Sequence, residues 1–402
     1  MTSIVKLAAA VAAVLVALPL QAAQPLPAPR ATDQVPARVE TAPLPADAGE
    51  RAPVSFAWAL EPTQALAAPE PFVAISRSYW EMVDASALQQ GVALPLTAPD
   101  AVIQVSPVQG ARALPAEQWQ LRDPAGVLRV DKVVDAQQLQ AAGMPAGQGT
   151  AMARTGRTAA VGTYRLQSAQ AQGRYVVQVL EPNSPVSLRL QSSRDQVLAG
   201  GSLTVDAQLV DDGGSTSTGA VRSTVRRLPA GGEALLVAPD GRSWPVPLQA
   251  GKNGMTARVA IPEDAGNADG LWELQAFVSA EGLQRDAKVA FAVARATARF
   301  SGEVEANAAN RTLRLPLQVG APGRYEARGT LYATGPDGQL RPVAQAHSAA
   351  WFDAAGPGEL TLPFDSVTLP AGYAAPFQVR ELELRDQTRM APIESRAVAV
   401  SF

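Results

Sequence analysis

The sequence predicts an all-β protein: tandem immunoglobulin-like β-sandwiches preceded by a β-rich N-terminal domain with short helical turns. Three observations predict it. Apolar residues recur with period two over long stretches. A Pro-Asp-Gly turn returns at the spacing of one sandwich domain. Helical patterns are confined to two short turns. The chain has 402 residues, room for two to four domains of roughly 100–200 residues each.

Period two is clearest in four places. Val186, Leu188 and Leu190 alternate with Ser187, Arg189 and Gln191, and Leu203, Val205, Ala207 and Leu209 with Thr204, Asp206 and Gln208. Met255, Ala257, Val259 and Ile261 repeat the pattern, as do Leu313, Leu315, Leu317 and Val319. Strand side chains point alternately to opposite faces, so each run buries one face and wets the other, as antiparallel sheets do. Pro316 interrupts the last run and is expected on an edge strand, where a missing donor costs little. Phe377 and Val379 occupy one parity and Leu382 and Leu384 the other. A β-bulge at Arg380–Glu381 keeps both pairs inside.

The turns follow from glycine chemistry. Pro239-Asp240-Gly241 precedes Pro245-Val246, and Pro336-Asp337-Gly338 precedes Pro342-Val343, an offset of 97 residues. Asp-Gly favours hairpins because glycine accepts positive φ without a steric cost, and the offset is close to the ~100 residues of one immunoglobulin-like domain. Asp123-Pro124-Ala125-Gly126 is a looser third copy. Glu181-Pro182-Asn183-Ser184-Pro185 reads as a rigid polar joint and Ala294–Arg299 as a second, weaker one. The expected domains are 53–182, 183–296 and 297–402, joined with limited contact in an elongated monomer. The first carries two short helical turns, Asp84 to Gly91 and Asp135 to Gly143, each opened by a capping aspartate and closed by glycine.

The N-terminus predicts export. Lys6 is followed by an unbroken apolar run from Leu7 to Leu18, then Pro19 and the small residues Ala22-Ala23. A membrane span needs ~20 apolar residues, so residues 1–23 read as a signal peptide cleaved after Ala22 or Ala23. No second apolar run follows, and the mature chain is expected in the periplasm or outside the cell, with no integral membrane segment. Residues 24–52 are rich in Pro and Ala and read as a disordered arm.

Composition excludes several function classes. With 37 acidic and 34 basic residues, net charge −3, the near balance argues against a nucleic-acid binder, which would show a basic face. The absence of cysteine rules out thiolate metal sites, disulfides and thiol nucleophiles. The single histidine, His347, cannot build a multi-histidine site. It sits on a strand pattern with no Gly-x-Ser-x-Gly elbow and is expected to pack against Trp351, four residues on. Glu303 with Glu305 and Glu381 with Glu383 share strand faces, as acids on any wet face do. Asp211-Asp212-Gly213-Gly214 offers oxygen ligands but lacks the spaced acid ladder of a calcium loop. No catalytic residue, metal site or cofactor is assigned. Aromatics are only 5%, and those near the start of the folded chain, Trp58, Tyr79 and Trp80, are the candidate binding residues. Neighbours on a strand face opposite sides, so one of Tyr79 and Trp80 can be exposed to stack on a sugar or anchor a partner.

Ser76-Arg-Ser-Tyr-Trp80, Ala101-Val-Ile-Gln-Val-Ser-Pro107 and Tyr175-Val-Val-Gln-Val-Leu-Glu-Pro-Asn-Ser-Pro185 resemble DUF4785, an uncharacterised family of exported gammaproteobacterial proteins. The resemblance implies a β-rich N-terminal domain followed by immunoglobulin-like domains, and no established activity. The expected function is therefore non-enzymatic: an envelope or secreted protein binding a protein or glycan of the cell envelope. The alternative is a carboxylate-dependent, glycan-directed hydrolase with its site in the N-terminal domain.

Overall fold

The computed structural model describes residues 22–46, 49–64, 66, 70–115, 118–129, 133–212, 226–251, 253–267 and 270–402. Nearly all of the signal segment lies outside these residues. The fold is almost entirely β. The strand ladders are antiparallel, and the α-helices among the described residues are two six-residue turns, Ala85–Gln90 and Ala136–Ala141. Asp135 caps the second in a capping box with Gln138, and Asp84 stands at the first without a side-chain cap.

The period-two runs become strands with one dry face. Leu203, Val205, Ala207 and Leu209 are each at most 2% exposed, while Thr204 and Asp206 face solvent. Leu313, Leu315, Leu317 and Val319 are buried in the same way. Each such side chain contributes roughly 1.5–3 kcal/mol when fully removed from water, so the alternation sets the register.

The three turn motifs share one geometry. In each, the residue before proline donates its N–H four residues on, and the glycine N–H closes back: Ala238 with Arg242 and Gly241, Gly335 with Gln339 and Gly338, Asp123 with Val127 and Gly126. The glycines have φ of 87°, 75° and 80°, the left-handed position of a three-residue hairpin loop. The expected bulge is present. Thr330 pairs with Arg380 but Arg328 with Glu383, Glu381 has φ 47°, and Phe377, Val379, Leu382 and Leu384 are all buried.

The chain divides into two compact units, 1–68 with 294–402, and 69–293. The second unit holds two cores. One runs from Tyr79 to Val179 and the other from Val186 to Phe291. The joint itself differs from expectation. Glu181 and Ser184 are buried, and Asp286 pairs with Ser78, so the two modules share one sheet rather than touching lightly. Glu181 accepts from the amides of Thr97 and Ala98 and pairs with Arg285 at 2.8 Å. A buried acid met by a buried guanidinium turns a polar linker into an anchor, and that partner lies 104 residues away in sequence.

Three further corrections concern the other unit. Val54–Ala59, expected in the N-terminal domain, pairs with Leu340–Phe352 at the edge of the sheet that also holds Gly323–Thr334, Ala374–Asp386 and Ala391–Ser401. Pro316 is not on an edge. Its strand Thr312–Val319 pairs with Gly356–Pro363 on one side and with Ala298–Phe300 and Glu303–Asn307 on the other. Its carbonyl accepts from Ser301, so its missing N–H faces the break between those two short strands, where no ladder acceptor is lost. The segment 24–52, expected as a disordered arm, is ordered over its described residues. Ala22–Pro25 adds a strand to Glu303–Asn307, and Gln34 bridges Ser395. The carbonyls of Pro27, Ala37, Thr41 and Pro43 accept from Arg396, Arg299, Arg295 and Arg389. Proline removes donors but leaves carbonyl acceptors, and an arginine-bearing surface can hold such a chain without a regular ladder.

This contact is testable. Replacing Arg295 and Arg299 together by alanine is expected to raise the rate of trypsin cleavage after Arg30 and Arg38 several-fold, with the circular dichroism unchanged. An unaltered rate shows that these two arginines do not hold the segment.

Candidate functional site

The candidate residues fall in two places. Trp58 belongs to the unit formed by 1–68 and 294–402, and Tyr79 and Trp80 belong to the 69–293 unit.

Trp58 stands on the outermost strand of its sheet. Phe56 is two residues before it and directly opposite His347. The three rings are near-parallel, with interplanar angles of 12–30°, and their centroids form a triangle of 5.0, 5.4 and 5.7 Å. A face-to-face column would put its outer rings about twice the ring spacing apart, so these rings lie as overlapping tiles. Phe56 and Trp58 remain 47% and 40% exposed. His347 Nδ1 meets Glu326 Oε1 at 2.5 Å, and Gln387 donates to the other oxygen of that carboxylate at 2.9 Å, which fixes the imidazole in the tiling. The expected packing of His347 on Trp351 is corrected. Trp351 donates its indole N–H to Asp353 and carries the Arg51 guanidinium over its ring at 4.3 Å. A tiled aromatic surface bordered by polar side chains can take the C–H face of a sugar ring or a flat apolar group, while Glu326 and Gln345, the latter paired with Trp58, supply hydrogen bonds.

Tyr79 and Trp80 divide as strand alternation requires. Tyr79 is 2% exposed, its hydroxyl donates to the Pro95 carbonyl at 3.4 Å, and burial drives its phenol far above the usual range. Tyr79 is therefore a core residue. Trp80 packs edge-on against Phe277, 5.3 Å between centroids, at a cavity of about 390 Å³ that Glu233, Ser279 and Asp286 also line. Burial pushes the Asp286 carboxyl up to about 6, although it accepts from the Trp80 amide. Its Oδ1 is buried without a hydrogen-bond partner among the described residues.

Phe56 was legible as the i−2 neighbour of Trp58 on one strand face. Glu233, Phe277 and Asp286 were not, because strands distant in sequence bring them together. The Asp211-Asp212 loop runs into residues outside those described. Asp212 itself pairs with Arg189 at 3.0 Å. No group of three metal-ligating side chains occurs among the described residues, and no helix there is long and apolar enough to cross a membrane.

Fold and site together define a multidomain all-β protein with exposed aromatic side chains. Its family follows from the sequence. The N-terminal domain of DUF4785, a domain of unknown function, matches residues 45–181, and the C-terminal domain of the same family matches residues 297–402. The chain belongs to the DUF4785 family. A crystal structure of a DUF4785 family protein from Legionella pneumophila superposes with a TM-score of 0.61 at 17% identity, covering 92% of this chain and 98% of that one, a likeness of fold. A Salmonella alpha-2-macroglobulin variant aligns at 12% identity over 86% of this chain and 24% of its own, with a TM-score of 0.19. No curated protein matches the chain.

Proposed function

We propose that this is an exported, non-enzymatic binding protein that holds a glycan of the cell envelope on the Phe56–His347–Trp58 surface. The observation that carries the reading is the pair of large aromatics exposed side by side on an outermost strand and tiled with a fixed imidazole. Leaving two such rings in water forgoes part of the burial free energy each would contribute, and rigid aromatic anchors dominate binding surfaces. The near-parallel rings suit the flat C–H face of a pyranose better than the irregular side chains of a protein epitope. The apolar segment 7–18 and the small residues after it support export.

The hydrolase alternative has less behind it. Burial raises the Glu81 carboxyl in the first module, but Glu81 is not among the residues round the cavity beside Trp80, and the two acids that are, Glu233 and Asp286, stand on strands of the second module and not in the N-terminal domain where this reading places its site.

The mature chain is expected to bind insoluble peptidoglycan or members of a glycan array. Trp58→Ala should weaken that binding at least tenfold, about 1.4 kcal/mol, with the melting temperature nearly unchanged, because the side chain is exposed. Equal binding by Trp58→Ala and Phe56→Ala removes the surface from the function.

A further inference from the structure

We propose that the cavity beside Trp80 binds a linear aliphatic diamine, with one ammonium on Glu233 and the other on Asp286 and the methylene chain lying across Phe277. The register sets out this row. Glu233 pairs with Phe277, and Phe277 pairs with Asp286. Directly opposed residues of antiparallel strands project to the same face, so acid, ring and acid stand in line across three neighbouring strands. With strands ~4.8 Å apart, the two acidic residues are about 9–10 Å apart along the row. Trp80 closes one side, edge-on to Phe277, and Ser279 and Gln284 form the adjacent row.

The charges in the cavity call for a cation. Arg285, the cation among the described residues round it, lies on the opposite strand face. Its side chain is fully buried against Glu181, Ser184 and Thr97. Lys288, one row away, holds Glu273 at 2.8 Å. Asp286 accepts from the Trp80 amide, and its buried Oδ1 has no partner among the described residues.

The spacing selects the kind of cation. A metal ion needs oxygens within ~2.0–2.6 Å of one point, and an aromatic ring separates these two carboxylates. A monoamine answers one charge and leaves the other. A chain of four or five methylenes carries its two nitrogens far enough apart to reach both carboxylates through hydrogen bonds of ~2.8 Å. Its apolar stem rests on the Phe277 face, where cation–π attraction also acts. A cavity of about 390 Å³ is at the small end of ligand pockets, which fits so small a molecule. The groups round Asp286 are Lys288 on its own strand, Ser78 and Trp80 on the neighbouring strand and Glu233 beyond Phe277, with Arg285 and Tyr79 on the opposite face of the same two strands. Protonation of Asp286, centred at about 6, removes one of the two anchors, so affinity falls between pH 7.5 and pH 5.

Isothermal titration of the full mature chain with cadaverine, with Trp80 fluorescence as a second readout, tests the site. Binding at pH 7.5 is expected, with pentylamine at least tenfold weaker and with Glu233→Gln and Asp286→Asn each losing at least tenfold. Trp58→Ala is expected to bind cadaverine normally, which separates this site from the glycan surface. Equal binding of pentylamine and cadaverine, wild-type affinity in both acid variants, or no binding at about 10 mM cadaverine overturns the proposal.

Discussion

Glu181→Leu is expected to destabilise the 69–293 unit by about 3–5 kcal/mol, the cost of leaving one member of a buried ion pair without its partner. Both side chains are fully buried, 2.8 Å apart. Arg285 also donates to the carbonyls of Val186 and Gln284 and to the hydroxyls of Thr97 and Ser184. Desolvation already pulls the Arg285 guanidinium below its ordinary pKa, and Glu181 is the largest influence opposing it. Removing Glu181 also strips the Thr97 and Ala98 amides of their acceptor. Urea unfolding should therefore show a loss of midpoint far larger than the ~1 kcal/mol typical of single substitutions. The double variant Glu181→Leu/Arg285→Met is expected to recover most of the loss, since paired apolar replacements of buried ion pairs are often neutral. A double variant no better than the sum of its parts shows that the hydrogen bonds, rather than the charge pairing, hold the joint.

Asp286→Asn is expected to act in the opposite direction and to stabilise the protein at neutral pH. A carboxyl raised from 3.8 to about 6 in the folded state binds its proton more tightly folded than unfolded. The stability it contributes is complete below about pH 4 and is lost as pH rises through about 6. The full difference is roughly 3 kcal/mol at 1.36 kcal/mol per pH unit, and partial solvent access reduces it to about 1–2 kcal/mol. Thermal melts should thus show the variant ahead by about 2–8 °C at pH 7.5 and level with the wild type at pH 4. A variant less stable than the wild type at pH 7.5 shows that the Trp80 amide, and not desolvation, governs the carboxyl. A carboxylate kept at a stability cost beside a cavity is what a ligand site produces. The same substitution that stabilises the fold is the one expected to weaken diamine binding at least tenfold, so loss of binding cannot be put down to misfolding.

The sequence by itself determined the class of fold, because local pattern and burial answer the same question. Period two at Leu203–Leu209 and at Leu313–Val319 can only hide one face of a strand. Glycine at 126, 241 and 338 marks turns that need positive φ. The parity change between Val379 and Leu382 demands an extra residue. Each of these is settled within about ten residues of chain. What only the tertiary structure decided depends on partners far away in sequence. The 24–52 segment is short of donors and reads as a loose arm, until arginines at 295, 299, 389 and 396 meet its carbonyls. Val54–Ala59 reads as the start of one domain and completes the sheet edge of another. Glu181 reads as a linker acid and lies buried against Arg285. Glu233, Phe277 and Asp286 are unremarkable in three separate strands and become a row through strand register alone. Strand pairing is free to join any two segments whose edges match, so the local sequence carries the strands, while the neighbours that turn their outward side chains into a site come from the assembled sheet.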